Sequence, residues 1–205
     1  MTNKDIIARA LASNIKTRQM ATSNVAEDGK ILQAKNDGTF EWVNIGYDDF
    51  DVFDEFTRPN NTTSYSVGDI YTDSTTASIP LIFENVAREN GGSCVLTDIR
   101  ITIDSSRDVV PLFRIYIFNQ PPNLPNDGTT MNLSIEDANS VQFKENSINS
   151  IKNDITTIIT VSNLSALLQA DGNSRNLYGA LELLNDYSPA SQETARVNLR
   201  GYLLD

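Results

Sequence analysis

The chain has no histidine, a single cysteine and no apolar run near the roughly 18 residues that a bilayer span requires. Without histidine, Ser-His-Asp and Cys-His nucleophilic arrangements are excluded, as are His-based zinc sites. With Cys94 alone there is no internal disulfide, so stability must come from burial, a metal or oligomerisation. Cys94 sits in Cys94-Val95-Leu96 and reads as a small buried hydrophobe, since a catalytic thiol needs a basic partner. Gly91-Gly92 lacks the Lys-Ser/Thr that completes a phosphate-cradling loop. Ile6 to Leu11 is interrupted by Arg9, which does not fit a secretion signal. The chain is expected to stay where it is made until it is assembled into something larger.

What is present is an ordinary soluble composition. Of 205 residues, 40% are hydrophobic and 21% charged, enough for one domain with a real core plus an appendage. The net charge of −11 argues against nucleic-acid binding, which rests on neutralising phosphates with Lys and Arg. That charge is uneven. Lys4, Arg9, Lys16 and Arg18 face only Asp5 in residues 1–20, a net +3, so the remainder carries −14. A basic leader on an acidic body suits docking on an acidic surface such as another protein. A solvated helix with ordinary charges is the alternative.

Three regions follow. In residues 1–24, Ile6, Ile7, Ala10 and Leu11 share one helical face, with Thr2 or Asn3 available as N-cap. So short a helix needs a partner, either copies of itself, a host surface or the main domain. In residues 25–47, Asp37-Gly38 is a tight-turn signal flanked by Ile31-Leu32 and Trp42-Val43, which predicts a β-hairpin. An isolated hairpin is marginal in water, so this region too is expected to pack against other chains. The predicted apolar anchor is Ile6, Ile7, Ala10, Leu11, Leu32 and Trp42.

Residues 48–205 are a series of β-like runs separated by turn chemistry. Leu81-Ile82-Phe83 follows Pro80, and Ile99, Ile101 and Ile103 alternate with Arg100, Thr102 and Asp104. Phe113, Ile115 and Ile117 point one way; Leu112, Arg114, Tyr116 and Phe118 point the other, which marks a strand covered on both faces. The proline-rich 120–128 is a loop, and 155–161 is strand by its β-branched content. Residues 177–185 fit helix or strand; strand is preferred because a turn at Tyr187-Ser188-Pro189 and an alternating run, Ala195 to Leu203, follow. Many short strands predict a sandwich or jelly roll.

Candidate chemistry is sparse. Asp48, Asp49, Asp51, Asp54 and Glu55 offer oxygen ligands for Ca²⁺. They lack EF-hand spacing, and Phe50, Val52, Phe53 and Phe56 interleave, so a strand with aromatic residues inward and acids solvated is favoured. Asp69 and Asp73 beside Tyr71 are read the same way. Tyr65, Tyr71 and Tyr187 on loops are candidate platforms for a glycan, with core or turn packing as the alternative. Paired carboxylates of a glycosidase would need a separation that sequence does not reveal. No cofactor or metal is expected.

Several segments resemble a β-sandwich family common among structural proteins of tailed bacteriophages. They are Phe56-Thr57-Arg58-Pro59 through Tyr65 and Gly68-Asp69, Phe83 to Ser93, Leu112 to Phe118, Leu177-Tyr178-Gly179, and Tyr187 to Ser191. The likeness covers about three quarters of the chain. The pattern Gly29-x-x-Leu32, Asn36-Asp37-Gly38-Thr39, Trp42 is similar to a short element of phage fibres, where it implies a link near an anchoring end, commonly in trimers. The resemblance implies a capsid decoration protein or head fibre seated on the major capsid protein, with no catalytic residues to carry over. The Asn- and Ile-rich vocabulary suits an AT-rich genome such as that of a crAss-like phage.

The expectation is therefore a mainly β protein: a short N-terminal helix and β-hairpin anchor in 1–47, then an antiparallel jelly-roll-like β-sandwich in 48–205. The expected role is non-enzymatic, on the capsid exterior of a virion made in the host bacterial cytoplasm, as a homo-oligomer with trimer favoured and dimer next. A tail-fibre or glycan-binding module that meets a cell-surface glycan is the alternative, and a depolymerase a third. No nucleic-acid or membrane partner is expected.

Overall fold

Alternating β-branched and aromatic residues become strands here because each buries one side chain in two against a facing sheet. The computed structural model describes residues 30–34, 39–44, 48–104, 107–147, 149–152 and 155–204. The chain divides into two compact units, 1–47 and 48–205. In the first, β1 (Lys30–Ala34) pairs antiparallel with β2 (Phe40–Asn44), with Leu32 opposite Trp42 and Ile31 opposite Val43. The predicted helix and the Asp37-Gly38 turn lie outside the described residues.

The second unit is an antiparallel β-sandwich. One sheet runs β3 (Asp49–Thr57), β13 (Thr194–Leu203), β6 (Ser93–Asp104), β10 (Thr156–Val161), β9 (Asn149–Lys152), with β11 (Ala166–Gln169) also on β6. The other runs β4 (Ile70–Tyr71), β12 (Leu177–Leu183), β7 (Phe113–Phe118), β8 (Val141–Asn146), with β5 (Leu81–Phe83) also on β12. A short helix, α1 (Ile135–Asn139), precedes β8 and is capped by Ser134, whose hydroxyl accepts the Asp137 N–H.

Register aligns the apolar rows. Ala195, Val197 and Leu199 of β13 sit opposite Ile103, Ile101 and Ile99 of β6, and Ile159 and Val161 of β10 continue two of those rows. Across the sandwich, Phe113, Ile115 and Ile117 of β7 join Leu181 and Leu183 of β12 in the same buried cluster. The other face of β7 is covered as expected. Tyr116 and Phe118 pack with Ile70, Leu124 and Ala180, and Met131 and Leu133 of the following loop lie against them. Leu112 precedes the strand and is exposed, so the face predicted for it does not apply.

Residues 177–183 are strand, as preferred over helix. In β3, burial follows strict parity: Phe50, Val52 and Phe56 turn inward, but Phe53 is 53% exposed among the acids. The aromatics-inward expectation is therefore corrected at Phe53, because a period of two cannot put residues 52 and 53 on one face.

A bulge between Arg200 and Gly201 leaves Thr97 of β6 without an opposite residue. Gly201 passes so near the Val95 carbonyl and the Phe50 ring that a Cβ would collide with both.

Candidate functional site

Of the predicted anchor, β1 and β2 bring Leu32 and Trp42 into register at the backbone. Ile6, Ile7, Ala10 and Leu11 lie outside the described residues.

The densest cluster of ionisable groups lies at one end of the sandwich. As β3 ends, the Arg58 N–H donates to the Glu193 carbonyl at 2.9 Å, which ties the exit of β3 to the entry of β13. Tyr65 and Tyr187 form an isolated bridge with reciprocal N–H to carbonyl bonds of 2.8 and 3.2 Å. These backbone ties aim side chains inward.

Arg58 is fully buried there. Its Nη2 donates to Asp127 Oδ2 at 3.1 Å and Asn61 Oδ1 at 3.4 Å, its Nη1 to the Ala190 carbonyl at 3.3 Å, and its Nε to the Tyr65 hydroxyl. The Tyr65 hydroxyl in turn donates to Asp127 Oδ1 at 2.5 Å, which also accepts the Thr72 N–H at 3.0 Å. The guanidinium carbon lies 4.7 Å from the Tyr65 ring centre and 5.5 Å from that of Tyr71. Beside it, Glu193 accepts the hydroxyls of Tyr71 and Tyr187 at 3.0 and 2.9 Å and the Ala190 N–H at 2.7 Å.

Burial and these contacts shift three groups of the cluster, Tyr65, Tyr71 and Arg58. Burial, then the bond to Asp127, pushes the Tyr65 phenol far above its ordinary range. Burial and Glu193 do the same for Tyr71. Burial alone would lower Arg58, but Tyr65 and Asp127 outweigh it and raise the guanidinium instead. All three of these shifts run upward, away from neutrality. The cluster is a clasp that fastens residues 58–65, 71–72, 127 and 187–193 together.

The glycan platform expected of Tyr65, Tyr71 and Tyr187 is corrected by this arrangement. They are 2%, 1% and 2% exposed, so no ring face is open to a sugar. Tyr71 also lies in β4, not a loop.

Four of the five acids in the run have partners. Asp51 pairs with Arg200 at 2.9 Å, Glu55 with Arg196 at 2.6 Å and Asp48 with Arg88 at 3.2 Å. Asp54 turns to the sheet edge and accepts the Ile82 N–H at 2.7 Å. Asp69 and Asp73 accept the Ser66 and Ile79 N–H groups in turns. Among the described residues, no three metal-type side chains converge.

Cys94 is buried, as read, and burial pushes its thiol up to about 12. A third buried carboxylate, Glu182, went unflagged in the sequence. It accepts from Arg114 Nη1 at 3.0 Å and from the Tyr116 hydroxyl at 2.5 Å. Burial, then Glu182, raises Tyr116 to about 12. The alternation of Arg114 and Tyr116 on one face of β7 was the available hint.

No protein-family model matches the chain, and no curated protein sequence does. Among solved structures, the chain is similar to the cyanophage Pam1 capsid asymmetric unit at 13% identity, over 90% of this chain and 99% of that one, with a TM-score of 0.31. It is similar to the CBM22-1–GH10 modules of Clostridium thermocellum xylanase 10B at 11% identity, over 78% of this chain and 28% of that one, with a TM-score of 0.30. A cellulose-specific carbohydrate-binding module, CBM28, follows at 13% identity, over 85% of this chain and 78% of that one, with a TM-score of 0.28. At such TM-scores these likenesses carry no argument about what this chain does. No helix among the described residues is long and apolar enough to cross a membrane.

Proposed function

We propose that this chain is a non-enzymatic structural protein of a tailed-phage virion, a head fibre or capsid decoration protein that attaches through residues 1–47 and displays the sandwich of 48–205. The observation that carries this reading is how the sandwich spends its buried charge. Arg58, Asp127, Glu193 and Glu182 all act on one another or on tyrosines, and every such contact fastens strands and loops into one shape. A body built to hold a surface rigid suits display.

The division after residue 47 supplies the other half of the argument. A two-stranded hairpin is marginal in water by itself. Copies of it that meet at a symmetry axis gain partners, and symmetry multiplies each contact. The partner is a capsid protein of the same virion, and a trimer is the favoured assembly. The segment resemblances described above point the same way.

The test is a deletion of residues 1–24. Purified particles assembled with the shortened protein should carry none of it, while the protein itself stays folded. Full occupancy by the truncated chain would overturn the anchor. Immunogold labelling of intact virions would place the epitope on head or tail.

A further inference from the structure

The outward face of the β3–β13–β6 sheet holds a depression of about 580 Å³ lined by Glu55, Arg100, Thr102, Asp104, Thr194, Arg196 and Asn198. Strand register assembles it. Arg196 stands opposite Glu55 on one side and Thr102 on the other; Asn198 stands between Phe53 and Arg100; Thr194 stands beside Asp104. These positions share one side of the pleat, and the intervening Ala195, Val197, Ile101 and Ile103 fill the core. The floor is thus carried by strands whose opposite face packs in the core.

Three properties define what fits. The lining charges cancel: Arg100 and Arg196 against Glu55 and Asp104. A polyanion gains nothing there, and the acidic body repels it. The lining is entirely polar, whereas the centre of a protein interface is apolar and aromatic. Finally, the hydrogen-bonding groups are of both kinds. Arg196 is committed to Glu55, but the side chains of Arg100 and Asp104 make no hydrogen bond or ion pair among the described residues. Thr102, Thr194 and Asn198 each donate and accept; Thr194 already shares a hydrogen bond with Thr57 at 3.2 Å and Asn198 Nδ2 donates to Asp51 at 3.4 Å, which leaves the Asn198 oxygen as acceptor.

We infer that this depression is a binding site for a neutral, hydroxyl-rich chain, a glycan, with Arg100, Asp104 and Asn198 hydrogen-bonding its hydroxyls and Phe53 at the rim. Vicinal hydroxyls match planar guanidinium, carboxylate and amide groups in pairs. Phe53 is the exposed aromatic of β3, and the Arg196 guanidinium lies over its ring, 4.5 Å from the centre, which ties the ring to the depression. Arg100 and Asp104 are four residues apart on one strand, about 13 Å, so the site takes several sugar rings end to end. Open and polar, it binds weakly per copy, and an oligomer raises the avidity. The inference rests on the sandwich alone and not on the virion reading.

The experiment is titration of the full chain with four neutral probes, cellohexaose, xylohexaose, maltohexaose and N-acetylchitohexaose, with a heparin hexasaccharide as polyanion control. At least one neutral probe should bind saturably and shift the backbone amides of β6 and β13. Arg100→Ala and Asn198→Ala should each weaken binding about tenfold, with melting temperatures unchanged because both side chains face outward. No saturable binding to any of the four would overturn the inference. So would unaltered binding by the Arg100→Ala/Asn198→Ala double variant, or preference for heparin. Arg100→Ala should leave incorporation into particles at the unmodified level, so failure here and failure of the anchor are separate results.

Discussion

Arg58 and Asp127, 69 residues apart in the chain, meet inside the protein with side chains 0% and 3% exposed, Nη2 3.1 Å from Oδ2. A pair so deeply buried gives up all its hydration, and attraction alone seldom offsets that loss. Here additional bonds complete the set: Tyr65, Asn61 and the Ala190 carbonyl on the arginine, Tyr65 and the Thr72 N–H on the aspartate. Removal of one partner strands the other.

Arg58→Ala should therefore cost about 3–5 kcal/mol, the penalty of an uncompensated buried charge. Asp127→Asn should cost a comparable amount: its amide oxygen still accepts from Tyr65 and Thr72, but its NH2 faces the Arg58 donor and the buried guanidinium loses its counter-charge. Urea denaturation of the two variants and the parent measures both. A loss from Arg58→Ala under 1 kcal/mol would mean that the clasp is not a buried network at all.

The surface pair Arg196–Glu55 should behave in the opposite way. Its bond is shorter, 2.6 Å, but both side chains are about half exposed. Solvent and salt screen it, so Arg196→Gln should change stability by less than about 1 kcal/mol, with the difference vanishing in 1 M salt. Melting curves at two ionic strengths would show this. A salt-insensitive loss as large as that of Arg58→Ala would contradict the assignment.

Much of the sandwich was legible because its signal is local. Ile99, Ile101 and Ile103 alternate within one strand, and the two-sided apolar run of 113–118 marks a central strand without reference to anything distant. Phe53 shows where the same rule was not applied strictly enough: parity, not hydrophobicity, decides its face. The clasp was illegible for a different reason. Arg58, Asp127 and Glu193 converge only after three loops close, and a charged residue in a loop normally faces water. Of the two readings open for Tyr65, Tyr71 and Tyr187, glycan platform and core packing, the second holds, and they form the inner wall of the clasp. The helix α1 also escaped notice, although Ser134-Ile135-Glu136-Asp137 carries a capping signal.

Gly201→Ala should destabilise the fold by about 1–3 kcal/mol or more, because the new methyl meets the Val95 carbonyl, which is backbone and cannot swing aside. Gly172→Ala is the control, since a Cβ there meets nothing within 4 Å. Thermal melts of the two variants side by side would decide. Equal melting temperatures would show that the bulge relaxes freely.

Alkaline pH should unfold the protein progressively, and the sign follows from the raised values. Cys94 moves from 9.0 to about 12 and Tyr116 from 10.0 to about 12 on folding. The folded state therefore holds protons that the unfolded chain releases. The stability these groups contribute is intact below pH 9 and declines between pH 9 and 12, by up to about 1.4 kcal/mol per pH unit for each group. Tyr65 and Tyr71, raised further still, extend the decline beyond that window. Denaturant midpoints at pH 7, 9, 10 and 11 would trace it, and Cys94→Ala should flatten the first part of the slope. A midpoint that stays level to pH 11 would mean that these groups are solvated.

Residues 48–205 expressed alone should fold, because they form a compact unit whose described core begins at Phe50. Among the described residues the pairings of its two sheets are internal to it, and the clasp that fastens its end begins at Arg58. The isolated body should show a β-type circular dichroism spectrum and a cooperative transition within a few degrees of the full chain. It should also sediment as a monomer, whereas the full chain should self-associate, because the hairpin region carries the proposed assembly contacts. Analytical ultracentrifugation of both forms supplies the comparison. A truncated body that still sediments as an oligomer would move the assembly surface onto the sandwich and leave residues 1–47 without the role proposed for them.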